Sequence, residues 1–299
     1  MGKLVPWSKS PLEIGDVPVA IISLADAEGR RKTLIDRGFS PELVNGFWPA
    51  CDMRGTPDSD LQSHSQYHDI KELYGRPPIS AELGCFFSHS AIVEWLSVQE
   101  SVSQVVVFED DVVPEMARSL DSLIEVAGAL SVPEESGMPL ICHLGPRAEQ
   151  CRAALARRVS VSGHEGLGIE ILDLIDKKAR LWRAHAYIIN KAAAKKYTEL
   201  AKGSGFLADD WRFIADQTQS KLVFLNPPFF SQDEEVESTI DPSNKRLGWN
   251  SPIRSNLSLN FDALLKSKYI YRKILSKLAR IFRLSFAIIF RALPRKKIY

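Results

Sequence analysis

Five short apolar runs punctuate the chain at residues 17–24, 105–108, 140–144, 185–189 and 222–225. Several are rich in β-branched residues and apolar at consecutive positions, the mark of strands covered on both faces. Between them, apolar residues return every three or four positions, which predicts helices over 28–36, 81–98, 115–129 and 192–201. The longest follows Pro77 and Pro78, with Ser80 placed to cap it. Strands alternating with helices predict βα units on a mostly parallel, Rossmann-type sheet flanked by helices. Segments 55–68 and 231–252 are rich in Pro, Gly, Asp and Ser, carry neither period and read as loops. Loops of that length in a compact domain generally serve function.

Composition narrows the picture. With 299 residues, 45% apolar and 25% charged, the chain suits one α/β domain with an appendage. It holds no run of the roughly 18 apolar residues that a membrane-spanning helix needs, and residues 1–16 lack the apolar centre of a signal sequence. The expected location is therefore the cytoplasm. Cys51, Cys85, Cys142 and Cys151 show no metal-type pair spacing and read as reduced packing residues.

The formal net charge of +1 hides an asymmetry, because residues 263–299 hold eleven Lys and Arg and no Asp or Glu. Within that tail Ile270, Ile274, Leu278, Ile281, Phe282, Ile288 and Ile289 follow helical spacing, opposite Arg272, Lys273, Lys277, Arg280, Arg283 and Arg291. This pattern predicts a basic amphipathic helix lying on the inner face of the cytoplasmic membrane. Nucleic acid is the poorer partner, since it requires the cationic face but not the wide apolar stripe. Docking on the chain's own acidic body stays open. The expected organisation is an extension at 1–16, a domain at 17–262 and the tail at 263–299.

The candidate chemistry lies at Glu109-Asp110-Asp111, immediately after the apolar run Val105 to Phe108. Three carboxylates then stand at the carboxyl end of a central strand, the edge where open α/β sheets bind ligands. Strand alternation would turn Glu109 and Asp111 to one side and Asp110 to the other. Converging carboxylates repel, and a divalent cation makes their proximity favourable. An acidic triplet can also mark nothing more than a strand reaching water.

Other residues fit roles around that cluster. Asp209 and Asp210, after Gly203-Ser204-Gly205, suit either a general base or the cap of a helix starting between 206 and 214. Arg30 and Arg31 fall at the first βα turn, where a guanidinium can pair with phosphate or with a surface carboxylate. His89 shares a helical face with Phe86, Val93 and Leu96, which favours a buried, hydrogen-bonded ring, and His185 beside Leu181-Trp182 reads the same way.

Several ordered segments together resemble glycosyltransferase family 25, the bacterial lipooligosaccharide glycosyltransferases and related collagen galactosyltransferases. They are Ile22-Ser23-Leu24 with Arg30-Arg31, Pro49-Ala50-Cys51-Asp52, Glu82-Leu83-Gly84-Cys85 with Ser88-His89, and Phe108-Glu109-Asp110-Asp111-Val112. His185-Ala186-Tyr187-Ile188-Ile189, Ala208-Asp209-Asp210-Trp211 and Ser238-Thr239-Ile240 continue the series. The resemblance implies a GT-A-like fold and hexose transfer, of galactose by family likeness, from a UDP-sugar to a lipooligosaccharide- or lipopolysaccharide-type glycolipid with inversion. It implies Mn2+ or Mg2+ on Asp111 and Glu109, and donor contacts from Ser23, Leu24, Arg30, Arg31, Asp52 and Asp110. Asp210 or Asp209 would be the base, with Ser88, His89, His185 and Trp211 shaping the pocket or meeting the acceptor. Ser23 stands where the family has Asn, and Glu109 where the usual acidic motif begins with Asp.

Overall fold

The computed structural model describes residues 11–14, 17–115, 120–130, 137–146, 156–158, 170–175 and 181–233. The expected tail helix and Ser238-Thr239-Ile240 lie outside them. Its strands are β1 (Leu12–Ile14), β2 (Val17–Ser23), β3 (Trp48–Pro49), β4 (Gln104–Glu109), β5 (Val112–Pro114), β6 (Leu140–His143), β7 (Ala156–Arg158), β8 (Glu170–Leu174), β9 (Ala186–Asn190), β10 (Lys221–Asn226) and β11 (Phe230–Gln232). Its helices are α1 (Glu28–Asp36), α2 (Pro41–Asn45), α3 (Asp58–Leu61), α4 (Ser65–Tyr74), α5 (Ser80–Val98), α6 (Leu120–Leu130), α7 (Lys191–Gly203) and α8 (Trp211–Thr218).

The sheet is covered on both faces, as its apolar strands require. Along β4, Val106 and Phe108 join a core with Leu34, Val44 and Val126 on one face. Val105 and Val107 join Leu96, Tyr197 and Trp211 on the other. Burying each large apolar side chain contributes about 1.5–3 kcal/mol, so this two-sided burial dominates the fold's stability.

Strand order is β1-β2-β4-β9-β6-β10-β8-β7, with β3 also on β2. β2 pairs in parallel with β3 and β4, and β6 in parallel with β10. The expectation of a mostly parallel sheet holds for these central strands, but β9 runs antiparallel between β4 and β6. That reversal brings the start of β9 to the carboxyl end of β4, and the Glu109 amide donates to the His185 carbonyl at 2.9 Å.

Local details depart from the expectations where long-range partners intervene. Segment 55–68 is not a continuous loop: α3 and the start of α4 occupy it, because Leu61, Tyr67 and Ile70 are buried in a small cluster with Leu83 and Leu207. Ser80 is the first residue of α5 and does not cap it; Glu82 accepts from the Ile79 amide at 3.1 Å. Segment 12–14, expected within an extension, adds to the sheet against Val17–Val19. Leu181 and Trp182 belong to no strand. Among the described residues no helix is long and apolar enough to cross a membrane.

Candidate functional site

The parallel pairing of β2 and β4 sets Ile22 beside Glu109, so both strands end at one edge. A cleft of about 700 Å³, partly open to solvent, lies at this edge. Ser23, Leu24, Arg30, Asp52, Ser88, His89, Glu109, Asp110 and Asp111 all line it, with Met53, Arg54 and Gln232 and with Cys51 and Cys85, which the sequence suggested only as packing residues. Helix α5 approaches the 51–53 backbone closely here: a Cβ on Gly84 would stand 2.6 Å from the Cys51 carbonyl oxygen. Ser88 Oγ reinforces the approach by accepting from the Cys51 amide at 2.8 Å.

The carboxylates do not follow simple strand alternation, since β4 stops at Glu109 and Asp110-Asp111 form a turn into β5. Asp110 therefore does not turn away from its neighbours. Arg30 spans it and Asp111, with Nε 3.1 Å from Asp110 Oδ1 and Nη2 3.0 Å from Asp111 Oδ2. Ser23 Oγ also donates to Asp110 Oδ2 at 2.7 Å. Arg31 reaches Ser23 Oγ at 3.0 Å and the Ala25 carbonyl at 2.9 Å, and stacks 4.1 Å above the Phe47 ring. Both guanidiniums of the first βα turn thus have contacts within the protein.

Asp111 is held from the other side by β11, whose pairing with β5 sets Gln232 opposite Val112. Gln232 Nε2 donates to Asp111 Oδ2 at 2.9 Å. The other Asp111 oxygen, Oδ1, is buried and has no hydrogen-bond partner among the described residues. Burial, then the neighbouring Glu109 charge, push the Asp111 carboxyl up to about 7 against the opposing pull of Gln232 and Arg30. Burial also raises Glu109, but the His89 hydrogen bond and the positive charges nearby outweigh it and leave that carboxyl below its ordinary value. Asp110 is raised, chiefly by burial.

His89 is buried and bonded at both nitrogens, Nδ1 to Tyr187 Oη at 2.9 Å and Nε2 to Glu109 Oε1 at 3.0 Å. His185 is also buried, with its ring beside the Phe230 backbone. Burial lowers its pKa to about 4, so the ring is neutral near pH 7. Gly145 makes room for it, because a Cβ there would lie 2.3 Å from His185 Nε2.

The second candidate group lies apart from the cleft lining. Asp210 is fully buried and caps α8, accepting from the Phe213 amide at 3.2 Å and from Tyr74 Oη at 3.2 Å. Asp209 is only half-buried and its charge acts on Arg76. Trp211 is a core residue whose Nε1 donates to the Arg183 carbonyl at 2.7 Å and whose ring packs on Tyr187. Of the lining residues to which the sequence gave no site role, Cys85 had a legible signal, four positions before His89 on one helix.

An α/β sheet with an acidic cleft at the carboxyl edge of its strands has the layout of the ligand-binding α/β folds. Residues 17–211 match the family described as Glycosyltransferase family 25 (LPS biosynthesis protein), and the chain belongs to that family. A Bos taurus protein named "Probable inactive glycosyltransferase 25 family member 3" is 28% identical over 195 residues, covering 63% of this chain. The match spans 29% of that relative's own length.

Proposed function

We propose that this protein is a metal-dependent glycosyltransferase of GT-A type, moving a hexose, galactose by family likeness, from a UDP-sugar to a lipopolysaccharide-type acceptor with inversion. The observation that carries the reading is Asp111 Oδ1, buried and without a hydrogen-bond partner among the described residues, on a cleft at the carboxyl edge of the sheet. That free lone pair and the nearby Glu109 carboxylate suit a hard divalent cation, so Asp111 and Glu109 would hold Mn2+ or Mg2+. Bound there, the cation supplies neutralisation of the diphosphate leaving group.

The chain's own residues do the rest. Ser23, Leu24 and Asp52 border the donor's place in the cleft, and Arg30 turns from the aspartates toward the diphosphate as donor binds. Asp209 takes the acceptor hydroxyl's proton, while Asp210 holds the helix start that positions it. Family membership supports the transferase reading, and its description supports a lipopolysaccharide acceptor. The tail at 263–299 places the enzyme on the inner face of the cytoplasmic membrane, near a glycolipid acceptor.

The test is UDP release from a panel of UDP-hexoses with and without manganese, using the full chain. Wild type releases UDP only with metal, and Asp111→Asn lowers that rate by at least about a hundredfold without unfolding, the scale of losing one electrostatic stabiliser. Near-normal turnover in Asp111→Asn overturns the assignment. A second reading, a non-catalytic nucleotide-binding module, is favoured by Arg30 spanning Asp110 and Asp111 and by the bovine relative's name. Calorimetric binding of UDP-hexose with no turnover under any metal would select it.

A further inference from the structure

Helix α5 presents Cys85 and His89 one turn apart, on the face that lines the cleft. The end of β4 brings Glu109 against both. His89 Nε2 lies 3.0 Å from Glu109 Oε1, and Cys85 Sγ lies 3.9 Å from the same oxygen. One ligand atom from each of the three lies within 4.8 Å of the others. Three protein ligands around a tetrahedral zinc, with bonds of about 2.0–2.3 Å, leave their donor atoms roughly 3.4–3.6 Å apart. Shifts of about an ångström, shared among the three side chains, close that geometry.

We propose that Cys85, His89 and Glu109 form a binding site for a thiophilic divalent cation of the zinc class, separate from the hard-cation pair but sharing Glu109 with it. The donor set supports the choice: thiolate and imidazole select zinc over magnesium or manganese. The outer contacts are already built. Tyr187 Oη sits 2.9 Å from His89 Nδ1, so Nδ1–H donates to it when Nε2 ligates, fixing the tautomer as such second contacts do in zinc sites. The ion replaces one proton: the Cys85 thiol proton leaves to solvent, while the ring proton that His89 shares with Glu109 through Nε2 is carried on Nδ1 once Nε2 ligates. Thiolate and carboxylate then neutralise the dication, which keeps the charge cost of a mostly buried site low.

The site stands whether or not the chain transfers sugar, so its test is direct. Full-length protein is titrated with Co2+, whose thiolate charge-transfer absorption reports Cys ligation, and Zn2+ is used to displace it. One equivalent of Co2+ should give that band, with proton release; Cys85→Ser should lose the band and at least tenfold in Zn2+ affinity. Cys51→Ser and Asp111→Asn should keep it. In unsubstituted protein, Zn2+ but not Mg2+ should slow alkylation of Cys85, a readout that does not depend on a variant folding. Absence of a thiolate band in folded wild type, its persistence in Cys85→Ser, or alkylation indifferent to Zn2+ overturns the proposal. Because Glu109 is shared, Zn2+ should also raise the Mn2+ concentration needed for UDP release.

Discussion

Arg30 does in this structure what a bound cation would do: it compensates Asp110 and Asp111 together, and its side chain is only 17% exposed. Removing one partner from such a cluster leaves charge without compensation, at a cost of about 3–5 kcal/mol when fully buried. Arg30→Met should therefore destabilise the metal-free protein by about 3 kcal/mol, the lower end, since some solvent reaches the pair. Manganese should restore much of that loss, because a ligand of the native state raises its stability. Thermal unfolding with and without Mn2+ measures both effects, and a loss that metal does not relieve contradicts the view of Arg30 as an internal counter-ion. The sequence placed Arg30 at the right turn, but whether it faces phosphate or carboxylate depends on a partner eighty residues away.

A second residue-scale effect concerns His143, fully buried, with Nε2 donating to the Arg183 carbonyl at 2.9 Å and Nδ1 accepting from the Gly145 amide at 3.1 Å. Burial lowers its pKa to about 3, with His185 adding to the shift. The unfolded chain, with a histidine pKa of about 6.5, takes up this proton first as pH falls. Stability from His143 is thus complete above about pH 6.5 and is lost progressively below it, toward the folded value, at about 1.4 kcal/mol per unit. His143→Gln should flatten the acid slope of urea-unfolding stability between about pH 6.5 and 4. An unchanged slope would show that His143 is not the group responsible.

At the scale of elements, helix ends and strand ends decide the chemistry. Asp209 and Asp210 were equivalent by type and order; α8 separates them by taking Asp210 as its buried cap, with Tyr74 Oη as a second partner. Asp210→Ala should cost about 2 kcal/mol, near the upper range for losing a cap. Asp209→Asn should leave stability within about 0.5 kcal/mol yet lower transfer at least about a hundredfold. Paired unfolding and kinetic measurements distinguish them, and the reverse pattern would exchange the roles. The carboxylate cluster teaches the same lesson. Apolar β4 was legible because its burial needs consecutive apolar residues, whereas the turn at Asp110-Asp111 that cancels alternation left no period to read.

For the whole molecule, the unanticipated feature is β9, whose reversal between β4 and β6 sets His185 at the acidic edge. The basic tail is a separate matter at this scale. Deleting residues 263–299 should reduce binding to phosphatidylserine vesicles more than tenfold, and salt should weaken binding of the intact chain, since each basic residue near such a surface contributes about 1 kcal/mol. Vesicle co-sedimentation at two ionic strengths reads both, and binding that survives the deletion removes the tail from that role.

The linear sequence by itself determined the main strands, the long α5, the α7 span and the position of the acidic triplet, because hydrophobic periodicity and burial are local patterns. Tertiary structure alone decided the rest. Gln232 reaches Asp111 through the pairing of β11 with β5, Arg30 bridges two aspartates, and Cys85 of α5 meets Glu109 at the end of β4. Each is a side-chain meeting between distant segments, set by strand order and direction, which no spacing along the chain encodes.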